Sequence, residues 1–145
     1  MEHKDDTYKF NHQMPVQIRF SDIDLLGHVN NAVYMNYLDM AKTKYFEAVN
    51  GNAVDWTRLD VVVANVNVDF LHPVFFHEDI VIKTKVIHLG NKSMTLCQQI
   101  ELAGSGEIKT ICRSVMVGFD IATSTSKQLS EQWKEKIRLF EGESI

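Results

Sequence analysis

Arg19-Phe20-Ser21-Asp22-Ile23-Asp24-Leu25-Leu26-Gly27-His28-Val29-Asn30-Asn31 places carboxylates, an imidazole and two carboxamides between an extended stretch and a helical one. Upstream, Met14 to Ser21 reads as a short strand, with Pro15 near its start as at a strand beginning or an edge. Downstream, Tyr34, Tyr37, Leu38, Ala41, Tyr45 and Ala48 recur at steps of three and four, while Asn36, Asp39, Lys42, Thr43 and Glu47 fall opposite. That spacing predicts an amphipathic helix over Ala32–Val49. Asn30 or Asn31 can cap its start, and Gly51 can end it in the left-handed conformation. At about 1.5 Å per residue it spans nearly 30 Å, enough to cross a sheet.

Beyond the helix the period changes to two. Val62, Ala64, Val66, Val68 and Phe70 alternate with Val61, Val63, Asn65, Asn67 and Asp69. The pattern returns over Asp79–Leu89, Ser93–Leu102 and Glu107–Phe119, separated by Leu89-Gly90-Asn91-Lys92 and Gly104-Ser105-Gly106. Connections this short make antiparallel hairpins, so the last three strands form a meander. Trp133, Ile137 and Phe140 predict a small helix over about 130–140. The expectation is one α+β domain over 1–145, a sheet wrapped on one long helix, its core at about 14–120. One helix leaves Val61, Val63, Val81, Ile87, Val115 and Val117 without an intrachain partner. Self-association would cover them; burial beneath loops and the C-terminal helix is the alternative.

Composition narrows the function classes. The chain has 145 residues, 45% of them hydrophobic, and a formal charge of -4. Its basic residues are scattered, which argues against nucleic-acid or acidic-membrane partners. Met1–Asp6 carries charge with no apolar run behind it, and nothing later approaches a membrane-spanning length. Cys97 and Cys112 sit in alternating strand patterns without metal-type spacing, as buried reduced thiols would. The cytoplasm is the expected location.

Asp24 lies just before the helix, where the positive end of the dipole and unpaired N–H groups favour an anion or a carbonyl oxygen. Such an end can polarise a substrate carbonyl while the carboxylate activates water or attacks directly. A thioester makes this small kit sufficient, because a thiolate of pKa about 8.5 leaves far more readily than an alkoxide or amine. An oxyanion donor contributes about 3 kcal/mol by mutational precedent. His28 can hold water or orient Asp24, and Asn30 or Asn31 can fix the attacking group. Each also has a plain structural role, turn or cap. Asp22, Asp24 and His28 offer oxygen and nitrogen donors but no compelling metal-ligand spacing, and neither metal nor cofactor is expected.

The order of strand, Asp22-Ile23-Asp24, Gly27-His28-Val29-Asn30-Asn31, Tyr34 and long helix resembles the hotdog-fold acyl thioesterases over roughly Met14–Asp120. Within them it is most similar to the 4-hydroxybenzoyl-CoA thioesterase-like group, and the His-Val-Asn-Asn run is similar to acyl-ACP thioesterases. The resemblance implies a five- or six-stranded antiparallel sheet around one helix, in homodimers or homotetramers that join edge strands. It selects Asp24 over Asp22 as the catalytic carboxylate, general base or nucleophile, with His28 and Asn31 beside it. Plant acyl-ACP enzymes carry an Asn two residues after this Asp; here that position is Leu26, which weakens an Asn-assisted mechanism. Backbone N–H groups near Asn31, or of Val61 and Val62, would meet the thioester oxygen. Tyr34, Tyr37, Leu38, Val62 and Phe70 would wall an acyl tunnel at the subunit interface. Plain core packing explains these residues equally well.

These residues lead to an acyl-CoA thioesterase acting on a fatty or aromatic acyl-CoA, with coenzyme A as part of the substrate and acyl carrier protein as the other donor. A hotdog dehydratase or hydratase would need an Asp-His or Glu-His pair poised at the acyl β-carbon. A non-catalytic acyl-CoA-binding module would keep the tunnel and dispense with Asp24.

Overall fold

The computed structural model describes residues 8–56 and 60–145. Met1–Asp6, read above as carrying no export signal, lies outside them. Strand β1 spans His12–Val16 and helix α1 Asn31–Asn50. Strands β2 (Val61–Phe70), β3 (Ile80–Leu89), β4 (Ser93–Leu102) and β5 (Ile108–Asp120) follow. The two-residue strand β6 (Thr125–Ser126) and helix α2 (Glu131–Glu141) complete the chain. The sheet is antiparallel in the order β1-β3-β4-β5-β2, with β6 on the end of β5. This is the expected α+β arrangement: a meander of three long strands, with α1 packed on the sheet.

Two expectations shift. The first strand ends at Val16 rather than Ser21, because a 3-10 turn at Phe20–Asp22 intervenes. On α1, Ala48 is exposed while Phe46 and Val49 turn inward, and Lys42, expected on the outer face, is buried. Its ammonium lies 3.7 Å from Asp39, so the alkyl stem covers apolar surface while the charge reaches outward.

Both helix ends obey the capping rules. Asn30 Oδ1 accepts from Ala32 N–H at 2.9 Å, and Gly51 stops the helix at a φ of 76°. Tyr34, Tyr37, Leu38 and Ala41 pack with Ile80, Ile82, Ile100 and Cys112 in one core cluster. Tyr45, Phe46 and Val49 pack with Val86, Leu96, Met116 and Ile137 in a second. Gln98 donates to the Leu38 carbonyl at 2.9 Å and to Thr84 at 3.1 Å, pinning the helix on the sheet. Both cysteines are buried thiols, and burial pushes Cys112 up to about 11.

Strand β2 is an outer strand, and Val62, Val63 and Val66 on it are exposed. The chain returning to α2 crosses Gly118: Lys127 N–H donates to the Gly118 carbonyl at 3.0 Å. A Cβ at Gly118 would run into the Lys127 carbonyl oxygen. Gly118→Ala is expected to destabilise the fold by about 1–3 kcal/mol, as overpacking does. A urea midpoint matching wild type would remove this constraint.

Candidate active site

The stretch between the 3-10 turn and α1 folds as a small hairpin. Ile23 pairs with Val29, Asp24 N–H donates to the His28 carbonyl at 3.0 Å, and Gly27 N–H donates to the Asp24 carbonyl at 3.1 Å. Gly27 takes a φ of 85°, where glycine carries no steric penalty. Asp24 Oδ1 accepts from Leu26 N–H at 2.9 Å, so the half-buried carboxylate is held through one oxygen.

Asp22 has a different environment. It is 4% exposed, and its Oδ2 accepts from the Tyr37 hydroxyl at 2.6 Å and from Arg19 N–H at 3.0 Å. Burial alone would raise its pKa; the two hydrogen bonds and the Arg19 charge outweigh it and hold the carboxyl below its ordinary value. Its carbonyl takes Asn30 N–H at 2.9 Å, which ties the hairpin to the helix start. Asp22 therefore anchors the loop while Asp24 faces its opening.

At the start of α1, Asn30 accepts from Ala32 N–H through its side chain and from Val33 N–H through its carbonyl, so the cap is Asn30 and not Asn31. Asn31 is exposed, and among the described residues its N–H meets no acceptor. It points a donor outward at the positive helix end.

Two clefts flank the start of α1, one lined by Asn30 and the other by Asn31. One, about 820 Å³ and open, is lined by Asp24 with Phe20, Ile23, Leu25, Leu26 and Asn30. The other, about 230 Å³, is lined by His28, Asn31, Tyr34 and Phe70 with Leu71, His72 and Pro73. Tyr34 and Phe70 meet edge to face at 5.0 Å. Burial pushes the Tyr34 phenol up, the Val74 N–H bond opposes this, and the charges of Glu78 and Asp24 add to it.

The floor beneath is the 71–79 loop. Val29 N–H donates to the Val74 carbonyl at 2.8 Å, and Val74 N–H to the Tyr34 hydroxyl at 3.1 Å. Lys109 binds the Pro73 carbonyl and the Glu78 carboxylate, each at 3.1 Å. Glu78 is pushed up by burial, but the Phe75 N–H, the Lys109 bond and charge, and the His77 charge hold it below its ordinary value. Nothing local in the sequence pointed to Lys109, because Pro73 lies 36 residues away.

His28 is half-buried, its Nδ1 3.4 Å from the Val29 carbonyl and its ring edge-on to Phe75. It meets Asp24 through backbone, and among the described residues no side-chain hydrogen bond joins the two. Tyr37 and Leu38, expected as tunnel walls, lie in the core instead: the Tyr37 hydroxyl is spent on Asp22, and the Leu38 side chain faces the sheet. Val61 and Val62 open β2, whereas Phe70 at its far end sits on Tyr34. At about 3.3 Å per residue the two ends are roughly 30 Å apart. Within one chain Val61 and Val62 cannot reach Asp24. Among the described residues no three His, Cys, Asp or Glu side chains gather as a metal site.

Tyr37→Phe removes a donor that holds Asp22 down. Stability from a depressed carboxylate is present above its unfolded pKa and lost as pH falls through the folded one. The variant should lose about 1–3 kcal/mol near neutral pH, and its acid-unfolding midpoint should move to higher pH. Circular dichroism over an acid titration reads this, and coincident midpoints would contradict it.

The sequence model of the thioesterase-like superfamily matches residues 18–137. The long-chain acyl-CoA thioesterase FadM of Escherichia coli K12 is 27% identical over 128 residues, covering 86% of this chain and 96% of FadM. A thioesterase from Thermus thermophilus, solved in complex with coenzyme A and zinc, superposes with a TM-score of 0.83. It is 30% identical, over 94% of this chain and 98% of that one. A 1,4-dihydroxy-2-naphthoyl-CoA thioesterase from Synechocystis has a TM-score of 0.76 at 13% identity, over 86% and 93% of the two chains, and shares the fold.

Proposed function

The chain belongs to the thioesterase-like superfamily, and from that we propose that it is a homodimeric acyl-CoA hydrolase in which Asp24 activates water. It is a thioester hydrolase, acting on acyl-CoA to release free acid and coenzyme A. The observation that carries the proposed site is the pairing of a fixed carboxylate with an open donor: Asp24 held by Leu26 N–H, and the exposed N–H of Asn31 at the start of α1.

The Asn31 N–H receives the thioester oxygen, whose charge grows as water adds. Asp24 takes the water's proton, with His28 helping to hold the water, and the thiolate departs without a strong general acid. The reading calls for no metal or organic cofactor, because thiolate departure needs no Lewis acid. It takes residues 1–145 as one domain working in the cytoplasm; among the described residues no helix is long and apolar enough to cross a membrane. The acyl group is fatty or aromatic, and coenzyme A rather than acyl carrier protein is the carrier.

A second copy completes the site. Strand β2 is an outer strand of the sheet with Val62, Val63 and Val66 exposed, an arrangement that soluble proteins cover. Antiparallel pairing of β2 with its symmetry mate brings the Val61 and Val62 N–H groups to the partner's Asn31. Tetramers would form by further packing of dimers.

The experiment is thiol release from acyl-CoAs of graded chain length and aromatic character, with light scattering for mass. Turnover by a dimer or tetramer supports the reading. Release of a water-addition or dehydration product with the thioester intact, or no turnover on any substrate, would sink it.

A further inference from the structure

Where α2 meets the C-terminal half of α1 lies a cavity of about 230 Å³ that the hydrolytic hairpin does not use. Phe46, Val61, Met94, Leu129, Trp133 and Ile137 make its apolar wall, and the Trp133 ring stands edge-on to Phe46 at 6.0 Å. Close-packed interiors leave few voids larger than a water molecule, and an apolar one of this size forfeits dispersion contacts around its lining. The lost contacts are those that an apolar ligand would restore.

One side of the cavity is charged. Lys127, Lys134 and Asp60 line it, and Lys127 pairs with Asp60, which leaves Lys134 as the unmatched charge. Lys134 is 6% exposed. Among the described residues its ammonium meets the Glu131 carboxylate at 3.4 Å, and that side chain is 82% exposed. An ammonium carries three donors, so one long contact to a solvated partner leaves donors for an acceptor inside the cavity. Ser130, the cap of α2, also lines it, and the positive start of that helix adds to the same sign.

We propose that this cavity binds a small monocarboxylic acid, its apolar body against Phe46, Met94 and Ile137 and its carboxylate on the Lys134 ammonium. An apolar cavity of about 150 Å³ admits a benzene ring, so this one admits roughly nine non-hydrogen atoms, the size of benzoate or heptanoate. The site is complete within one chain. Along α1 it lies roughly 22 Å from Asn31, at about 1.5 Å per residue to Phe46, so acid and thioester occupy separate places. The occupant touches α1 through Phe46 and α2 through Trp133, Lys134 and Ile137, and binding therefore fastens the C-terminal helix to the central one.

Benzoate and benzamide make the test, because they share a shape and differ in charge. Calorimetric titration of wild type should find benzoate bound about tenfold or more tightly than benzamide, the weight of a hydrogen bond to a charged group. Benzoate should also raise Tm as its concentration rises. In Lys134→Met the two affinities should come within about twofold of each other, since only the charge has gone. Met94→Trp should fill the space and abolish binding of both; if that variant fails to fold, Lys134→Met still decides the matter. Asp24→Asn should bind benzoate as wild type does. No benzoate binding to wild type, or equal affinity for acid and amide, would overturn the proposal. So would benzoate binding that Asp24→Asn loses and Lys134→Met keeps, because that places the acid at the hairpin. None of these readouts uses turnover, so the thiol-release assay can fail while this site stands, and the reverse.

Discussion

Asp24→Asn is expected to lower thiol release from acyl-CoA by about a hundredfold to ten-thousandfold, the usual weight of a positioned general base. The substitution is nearly isosteric, and the carboxamide oxygen can still accept from Leu26 N–H as Oδ1 does now at 2.9 Å. The hairpin, held by the Ile23–Val29 bridge and by the Asp24 and Gly27 backbone bonds, should keep its shape. Stability should therefore stay within about 0.5 kcal/mol, as at a surface position. Loss of activity without loss of fold distinguishes chemistry from the turn role that an aspartate also serves at this position. The comparison with Asp22→Asn sharpens the test. Asp22 is 4% exposed and spent on Tyr37 and Arg19, so its variant should unfold more easily first and lose activity in consequence. Equal turnover in Asp24→Asn and wild type would remove Asp24 from the mechanism.

Where a local rule governs, the sequence carried the outcome. Strands β3, β4 and β5, divided by the turns at Gly90 and Gly106, were readable to within a residue because period-two alternation and tight turns are short-range signals. Helix α1 was readable for the same reason, from Asn30 as cap to Gly51 as stop. Boundaries moved where a side chain bonded to nearby backbone: Asp22 taking Arg19 N–H turns the chain into a 3-10 turn and shortens β1. The least legible features were polar groups buried in strands. Gln98 reaches across 60 positions to Leu38, and Lys109 across 36 to Pro73. No local pattern announces a lysine whose partner is set by the tertiary fold. At the site, motif and family resemblance drew Asp24, His28 and Asn31 together. The backbone alone shows that Val61 and Val62 lie at the wrong end of β2 for their own chain's Asp24.

Lys85→Met is expected to cost about 3–5 kcal/mol, the penalty for leaving one member of a buried ion pair alone. Lys85 is 2% exposed and the Glu141 side chain 0%, with their charged atoms 3.0 Å apart. The ammonium also reaches Glu143 at 3.1 Å and the Lys9 carbonyl at 3.2 Å. Glu141 takes a second bond from the Tyr45 hydroxyl at 2.5 Å, and that hydroxyl accepts from Val86 N–H at 3.3 Å. Val86 needs this partner because β1 reaches only to His12, opposite Thr84. One polar cluster thus closes the open edge of β3 and fastens α2 to α1. For a chain this long the cost amounts to a drop of about 10 °C in Tm. Replacing both partners, Lys85→Met with Glu141→Leu, should recover much of the loss, since an apolar pair leaves no charge stranded. A double variant no more stable than the single would place the stability in the Tyr45 bond instead. The pH dependence has a definite sign. Burial lowers the Lys85 pKa, but the two carboxylates outweigh it and hold it above its ordinary value. Its contribution is thus complete at neutral pH and is lost only as pH rises through the folded value. His12, edge-on to Tyr45 at 5.9 Å, behaves oppositely: burial holds it below its ordinary value against the Glu141 charge. The unfolded chain then binds the proton more readily, so wild-type stability should fall as pH drops through the unfolded histidine range.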